Sequence, residues 1–266
     1  MLFRSNGITR RPTILIGLPR DVRLMVVYGY ARLVGYTDRF EIVPDILQSI
    51  EVEDERIFTL HLRKGHKWSD GASFTSEDFR YWWENVANDP NLSPSGPPID
   101  MLVNGQPPVF EVIDETTIRY TWPAKNPFFL PRLAGASPLF IYRPAHYLRL
   151  FHADFADPEE LAERVGNARN WASQHNRRDN MYRFDNPELP TLQPWVNTTK
   201  PPANRFVSVR NPYFHRIDEN GLQLPYIDQV IMNQSAAALV PAKRSEEHTS
   251  ELQSRRTLVC RLLPDK

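Results

Sequence analysis

Ile57 to Glu84, IFTLHLRKGHKWSDGASFTSEDFRYWWE, is the stretch from which the chain is best read. Phe58, Leu60 and Leu62 alternate with Thr59 and His61, which predicts a strand with one buried face. Gly65 and then Ser69-Asp70-Gly71 interrupt the chain, and Gly71 is free to take positive φ. Thr75 stands where a helix N-cap belongs, with Asp78 at the reciprocal capping-box position. Phe79, Trp82, Trp83 and Val86 then mark one face of a helix over Ser76 to Ala87. Trp82 and Trp83 are about 100° apart around that helix, so one ring should bury on the strand and the other should be more exposed.

Outward from this unit, Thr13 to Gly17 reads as a short strand, while Leu24 to Val34 is apolar and aromatic, helix or strand by pattern. Val109 to Ile113 and Thr117 to Trp122 read as strands joined by Asp114-Glu115-Thr116, a hairpin. Asn126-Pro127 starts a short helix. Asp157-Pro158-Glu159-Glu160 opens one helix over about Pro158 to His175, with acidic residues at its positive end. Arg177 to Pro202 has no clear period, and an irregular segment that long is usually functional or poorly ordered. Arg205 to Arg210 and Tyr226 to Met232 read as strands.

The two ends read differently. Arg244 to Ser254, RSEEHTSELQS, is the translation of a common sequencing-library adapter. Leu258 to Leu263 resembles its continuation, and Met1 to Ser5 resembles the complementary adapter end. Residues 1–5 and 244–266 are therefore set aside as one would a fusion scar, with the tail expected to be disordered. The one cysteine, Cys260, lies in that tail, so Asn6 to Lys243 offers no disulfide and no thiolate metal site.

The whole chain has 266 residues, with 32 Lys+Arg against 32 Asp+Glu. Without Arg4 and without the five basic and four acidic residues of the tail, 26 basic face 28 acidic side chains. There is no global basic bias toward nucleic acid or an anionic membrane. Pro, at 24 residues, outnumbers Gly at 11, so loops are many but stiff. No apolar run approaches the length of a membrane span. Asn6 to Arg11 is polar and Ile14 to Leu18 is too short for the apolar core of a secretory signal.

Catalytic chemistry finds little support. His61, His66, His146 and His152 lack metal-ligand spacing, and no cofactor or metal is expected. Asp70, Glu77 and Asp78 could suggest an acid–base pair, but turn and helix capping explain them sufficiently. There is no nucleophile elbow and no P-loop. Of the six tryptophans, Trp195, in a proline-rich loop, is the one allowed as pocket lining.

Leu62 to Gly65 (LRKG), Trp68 to Gly71 (WSDG) and Phe74 to Asp78 (FTSED) together resemble the signature of the family 5 extracellular solute-binding proteins, the peptide, dipeptide and nickel-type binding components of ABC importers. Tyr30 to Tyr36 (YARLVGY), Val43 to Leu47 (VPDIL), Val112 to Thr117 (VIDETT), Asn211 to Phe214 (NPYF) and Leu224 to Asp228 (LPYID) resemble further segments of the pattern, in order. The resemblance covers roughly Val27 to Met232. It departs where the family carries a Gly-Thr-Gly-Pro-Tyr segment, replaced here by Pro187 to Trp195, so substrate details do not transfer.

The resemblance implies an α/β, two-lobed periplasmic-binding-protein-like fold of the peptide-binding type, with only its N-terminal part present. Residues 6–39 and 140–243 would belong to one lobe, and 40–139 to a smaller inserted α+β domain. It implies no enzyme, a periplasmic or extracytoplasmic monomeric parent, a peptide or other small solute as ligand, and ABC permease subunits as partners. The segment Tyr30-Ala31-Arg32 would lie at the cleft edge, where relatives pair their backbone with an extended ligand. Arg32 should then face the cleft. A peptide- or carbohydrate-cleaving hydrolase is the alternative class, and an inactive fragment a third.

Overall fold

The computed structural model describes residues 12–16, 18–22, 31–135 and 139–235. Both adapter-like ends, Tyr30 and most of the Leu24 to Val34 segment lie outside the described residues.

The opening stretch forms as its pattern dictates. Strand β5, Ile57–Leu62, buries Phe58, Leu60 and Leu62 to 3% exposure or less. Burying each such side chain contributes roughly 1.5–3 kcal/mol. Gly71 has φ +95°, which favours glycine, and Tyr213 Oη lies 3.1 Å from where a Cβ would stand, so an added Cβ would also crowd that ring. Helix α1, Ser76–Trp82, begins with a complete Thr75–Asp78 capping box.

The helix then widens into a π-type turn, Trp83–Ala87. Trp83, at 9%, is more exposed than Trp82, at 3%, as their separation around the helix predicts, but both rings are buried. The reason is that α1 is covered on more than one side, by β6 (Val109–Asp114) and β7 (Thr117–Thr121) and by α3 (Ala145–Leu148). Trp83 packs edge-on to Tyr120 of β7, with ring centroids 6.1 Å apart.

Strand β4 is Leu47–Glu53, and the sheet it edges runs β4-β5-β7-β6, all antiparallel. Its core is aromatic: Phe58 meets Trp122 edge-on at 5.6 Å, and Trp122 lies 4.7 Å from Phe129 of α2 (Phe129–Ala134). Trp122 Nε1 donates to the Met101 carbonyl at 2.8 Å, so its polar atom is satisfied in the core. A small ladder pairs β2, Val34–Tyr36, with β3, Ile42–Pro44.

The second four-stranded sheet has the order β1-β10-β9-β8, with β1 at Thr13–Ile16, β8 at Trp195–Asn197, β9 at Arg205–Arg210 and β10 at Gln229–Gln234. β1 runs parallel to β10, and the other pairs are antiparallel. The chain therefore leaves this sheet after β1, builds the β4-β5-β7-β6 sheet, and returns to complete it.

The expected single helix from Pro158 to His175 is two. α4, Pro158–Val165, is capped by Asp157, which accepts from the Glu159 and Glu160 amides. Gly166, at φ +52°, ends it, and Asn170 caps α5, Trp171–Asp179, by accepting from Ser173 N. Thus the expected loop from Arg177 begins inside α5 and also contains β8.

Candidate functional site

The signature turn positions the site. Ser69 N donates to the Thr191 carbonyl and Thr191 N donates back to Ser69 Oγ, both at 3.0 Å. The proline-rich loop before β8 is thereby tied to the Trp68 to Gly71 turn. Asn211 Nδ2 donates to the Gln193 carbonyl at 3.0 Å and holds the loop from the other side.

Gln193, only 4% exposed, carries the next link. Its Oε1 accepts from Ala31 N at 3.2 Å, and its Nε2 donates to Ala31 O at 2.9 Å. A side-chain amide thus pairs with one residue's backbone as a neighbouring strand would. Arg32 Nη1 also donates to Ala31 O, at 2.9 Å. Ala31 is fully buried, and its N–H and C=O are both engaged within the chain.

Arg32 is buried at 6% exposure rather than open to a cleft. Its guanidinium carbon lies 5.9 Å from the Phe140 ring centroid, and its amide donates to Asp45 Oδ2 at 3.0 Å. Burial pulls the guanidinium below its ordinary value. Burial would push the Asp45 carboxyl up, but hydrogen bonds from His215, Arg216 and the Arg32 amide outweigh it and hold it well below the usual carboxylate range.

Trp195, the third described residue of the sequence reading, is 6% exposed and packs with Ile16, Val22, Phe206, Val230 and Met232. It also lines a cavity of about 60 Å³, as do Gln193, Phe140, Tyr142 and Trp68. Trp195 lines the cavity, and the Ala31-Arg32 segment lies behind it, in contact with the lining residues Gln193 and Phe140. Tyr30 lies outside the described residues. Sequence reasoning did not single out Gln193, Phe140 or Tyr142. Only Gln193 had a signal, as a polar residue in the loop that departs from the family pattern.

The cavity has one charged edge. Arg143 Nε lies 2.5 Å from Asp179 Oδ1, and both residues line it. Arg143 Nη1 also donates to the Phe140 and Tyr142 carbonyls, at 3.0 and 2.9 Å. The cavity thus combines aromatic faces with a fixed polar edge.

The carboxylates that could suggest acid–base chemistry are committed to structural partners. Asp78 accepts from Thr75 N, Ala145 N and Trp68 Nε1 at 3.0–3.1 Å. Asp70 pairs with His146 at 2.7 Å, and Glu77 with Arg80 and Arg149. Asp89, His152 and Asp154 come together, but His152 Nε2 bonds the Asn85 carbonyl and Nδ1 accepts from Asp154 N. Neither ring nitrogen is left for a metal.

Residues 41–248 match the family model described as bacterial extracellular solute-binding proteins, family 5 Middle. The periplasmic alpha-galactoside-binding protein of Rhizobium meliloti (strain 1021) is 30% identical over 196 residues, 73% of this chain and 26% of that protein. The periplasmic oligopeptide-binding protein OppA of Escherichia coli (strain K12) is 30% identical over 106 residues, 35% of this chain and 20% of that protein. A solved structure of an oligopeptide-binding protein OppA superimposes with a TM-score of 0.74 at 28% identity, covering 88% of this chain and 36% of that one. The periplasmic binding protein MelB of Agrobacterium fabrum C58, solved in complex with stachyose, gives 0.61 at 25% identity, again covering 88% and 36%. This chain spans between 20% and 36% of the length of these relatives.

Proposed function

The chain belongs to the bacterial extracellular solute-binding proteins of family 5, and from that premise we propose that the protein carrying it captures a small solute for an ABC importer. The ligand class on this reading is an oligopeptide or a similar small solute. It sits between two lobes, hinge closure covers it, and the closed form docks on permease subunits outside the cytoplasmic membrane. The protein works as a monomer, and no bond is made or broken. Residues 40–139 form the inserted domain, and 6–39 and 140–243 form two segments of one lobe. The pairing of β1 with β10 around the β4-β5-β7-β6 sheet supports that division.

The observation that carries the proposal is the convergence of Trp195, Trp68, Phe140 and Tyr142 on one cavity beside the Ala31–Gln193 pairing. Of the proposed ligand residues Tyr30, Ala31, Arg32 and Trp195, Trp195 lines this cavity, while Ala31 and Arg32 stand behind its wall through Gln193 and Phe140.

A second ligand reading, an oligosaccharide, has a specific observation in its favour. The Ala31 N–H and C=O are already paired with Gln193, so this residue has no backbone group left for an extended peptide. An aromatic cavity with a fixed charged edge instead suits the flat faces and hydroxyls of a sugar. Calorimetric titration of the whole protein with a mixed oligopeptide pool and with stachyose separates the two. Saturable binding of one, weakened by Trp195→Ala, supports solute capture and names its class. Binding of neither overturns the reading.

A further inference from the structure

Two stretches singled out in the sequence, Leu62 to Gly65 and Asn211 to Phe214, meet at a second place, remote in character from the aromatic cavity. Between them lies a cleft of about 320 Å³. One wall is the turn after β5, with Arg63, Lys64, His66 and Lys67, and the other carries Tyr213 and His215. No acidic side chain lines it among the described residues.

The positive charge of this cleft is not neutralised locally. Among the described residues, Arg63, Lys64 and Lys67 make no ion pair. Arg63 Nη2 donates to the Asp45 carbonyl at 3.3 Å, and Lys67 Nζ lies 5.5 Å from the Tyr213 ring centroid. The nearby carboxylate, Asp45, stands behind His215 and is committed to His215 Nε2 at 2.7 Å, to Arg216 and to the Arg32 amide.

The floor is built rather than incidental. His66 is 7% exposed and its ring lies 5.4 Å from that of His215. The Nδ1 atoms of both are buried without a hydrogen-bond partner. These are buried polar atoms that the protein itself leaves unpaired beside the cationic wall. Burial, with His215 and Arg63 nearby, pulls the His66 ring down to about 3, so it is neutral and carries a single N–H.

We propose that this cleft binds a phosphate-class oxyanion, held by the Lys64, Lys67 and Arg63 cations and by an N–H of His66. Three cations on one turn match a multiply charged tetrahedral group better than a single carboxylate. The volume leaves room for an organic substituent. That group could be a free phosphate or the headgroup of an anionic phospholipid, and the two sources share this chemistry.

The test uses the whole chain, titrated with inorganic phosphate, with acetate at matched ionic strength, and with phosphatidylglycerol against phosphatidylcholine vesicles. The expected result is one-to-one binding of phosphate, or selective binding of phosphatidylglycerol vesicles, weakened at least about tenfold in Lys64→Ala/Lys67→Ala. Lys64→Arg/Lys67→Arg should retain it. Both lysines are exposed, so the thermal midpoint should be unchanged and a loss of binding is not a loss of fold. Absence of both kinds of binding, equal binding of acetate, or binding indifferent to the alanine pair overturns the proposal. None of these readouts involves the imported solute, so the outcome is separate from that of the importer reading.

Discussion

Gln193→Met removes the amide that pairs with Ala31 while keeping side-chain volume. Two hydrogen bonds go, Ala31 N to Oε1 at 3.2 Å and Nε2 to Ala31 O at 2.9 Å. The carbonyl retains Arg32 Nη1 at 2.9 Å, so its loss is small. The N–H is left buried and unpaired, because Ala31 is fully buried. That orphan costs about 1–3 kcal/mol, and the lost carbonyl bond adds about 0.5 kcal/mol. A total of about 2 kcal/mol follows. With a urea m-value near 3 kcal/mol/M, the unfolding midpoint should fall by roughly 0.7 M with m unchanged. Urea denaturation of wild type, Gln193→Met and Gln193→Ala measures this, and the alanine variant should lose more because packing goes too. A midpoint for Gln193→Met within about 0.1 M of wild type would refute the reasoning, since the pairing would then not hold the loop to Ala31.

Other expectations follow from the same geometry. Thr75→Ala breaks the capping box and should cost about 1 kcal/mol, a shift of roughly 2–4 °C in thermal midpoint; no shift would remove the cap assignment. Gly71→Ala places a Cβ 3.1 Å from Tyr213 Oη at φ +95°, so it should destabilise by more than about 1 kcal/mol, and a neutral effect in urea would mean the turn relaxes freely. His175 is fully buried with Nε2 2.7 Å from Tyr81 Oη, and burial pulls its pKa from 6.5 to about 4. The folded state binds the proton less readily than the unfolded chain, so this contribution is complete above pH 6.5 and is lost as pH falls toward 4. The loss is up to roughly 3 kcal/mol. His175→Gln should flatten that part of the stability–pH curve, and an unchanged curve counts against the assignment.

The strand, turn and capped helix of the opening stretch were legible because each feature is local. Alternation fixes the buried face of β5, and a capping box needs only residues three apart. Strand β4 gave no such signal, because it is an edge strand with only Leu47 buried and polar residues such as Gln48, Ser49, Glu51 and Glu53 on the rest. The helix break at Gly166 was written in the chain as Gly-Asn followed by Asn170, but the acidic opening at Asp157 drew the reading through it. The candidate site was read from two kinds of signal. The resemblance singled out Ala31 and Arg32 and the proline-rich loop singled out Trp195, all three as proposed ligand residues. The link through Gln193 is a contact between positions 162 residues apart, which no local pattern encodes. The burial of Arg32 was unreadable for the same reason, because its surroundings come from Phe140 and Asp45.

Solute capture is tested most directly by calorimetric titration, with oligopeptides and with stachyose, of this chain and of a protein of its relatives' length that contains it. The longer protein should bind one ligand class one-to-one, lose affinity on Trp195→Ala, and return the ligand chemically unchanged. This chain, spanning only 20–36% of its relatives, should bind it weaker by several kcal/mol, each 1.4 kcal/mol being tenfold in Kd. Equal affinity for chain and longer protein would place the whole site within this chain and contradict the two-lobed clamp, and a cleaved ligand would contradict solute capture itself.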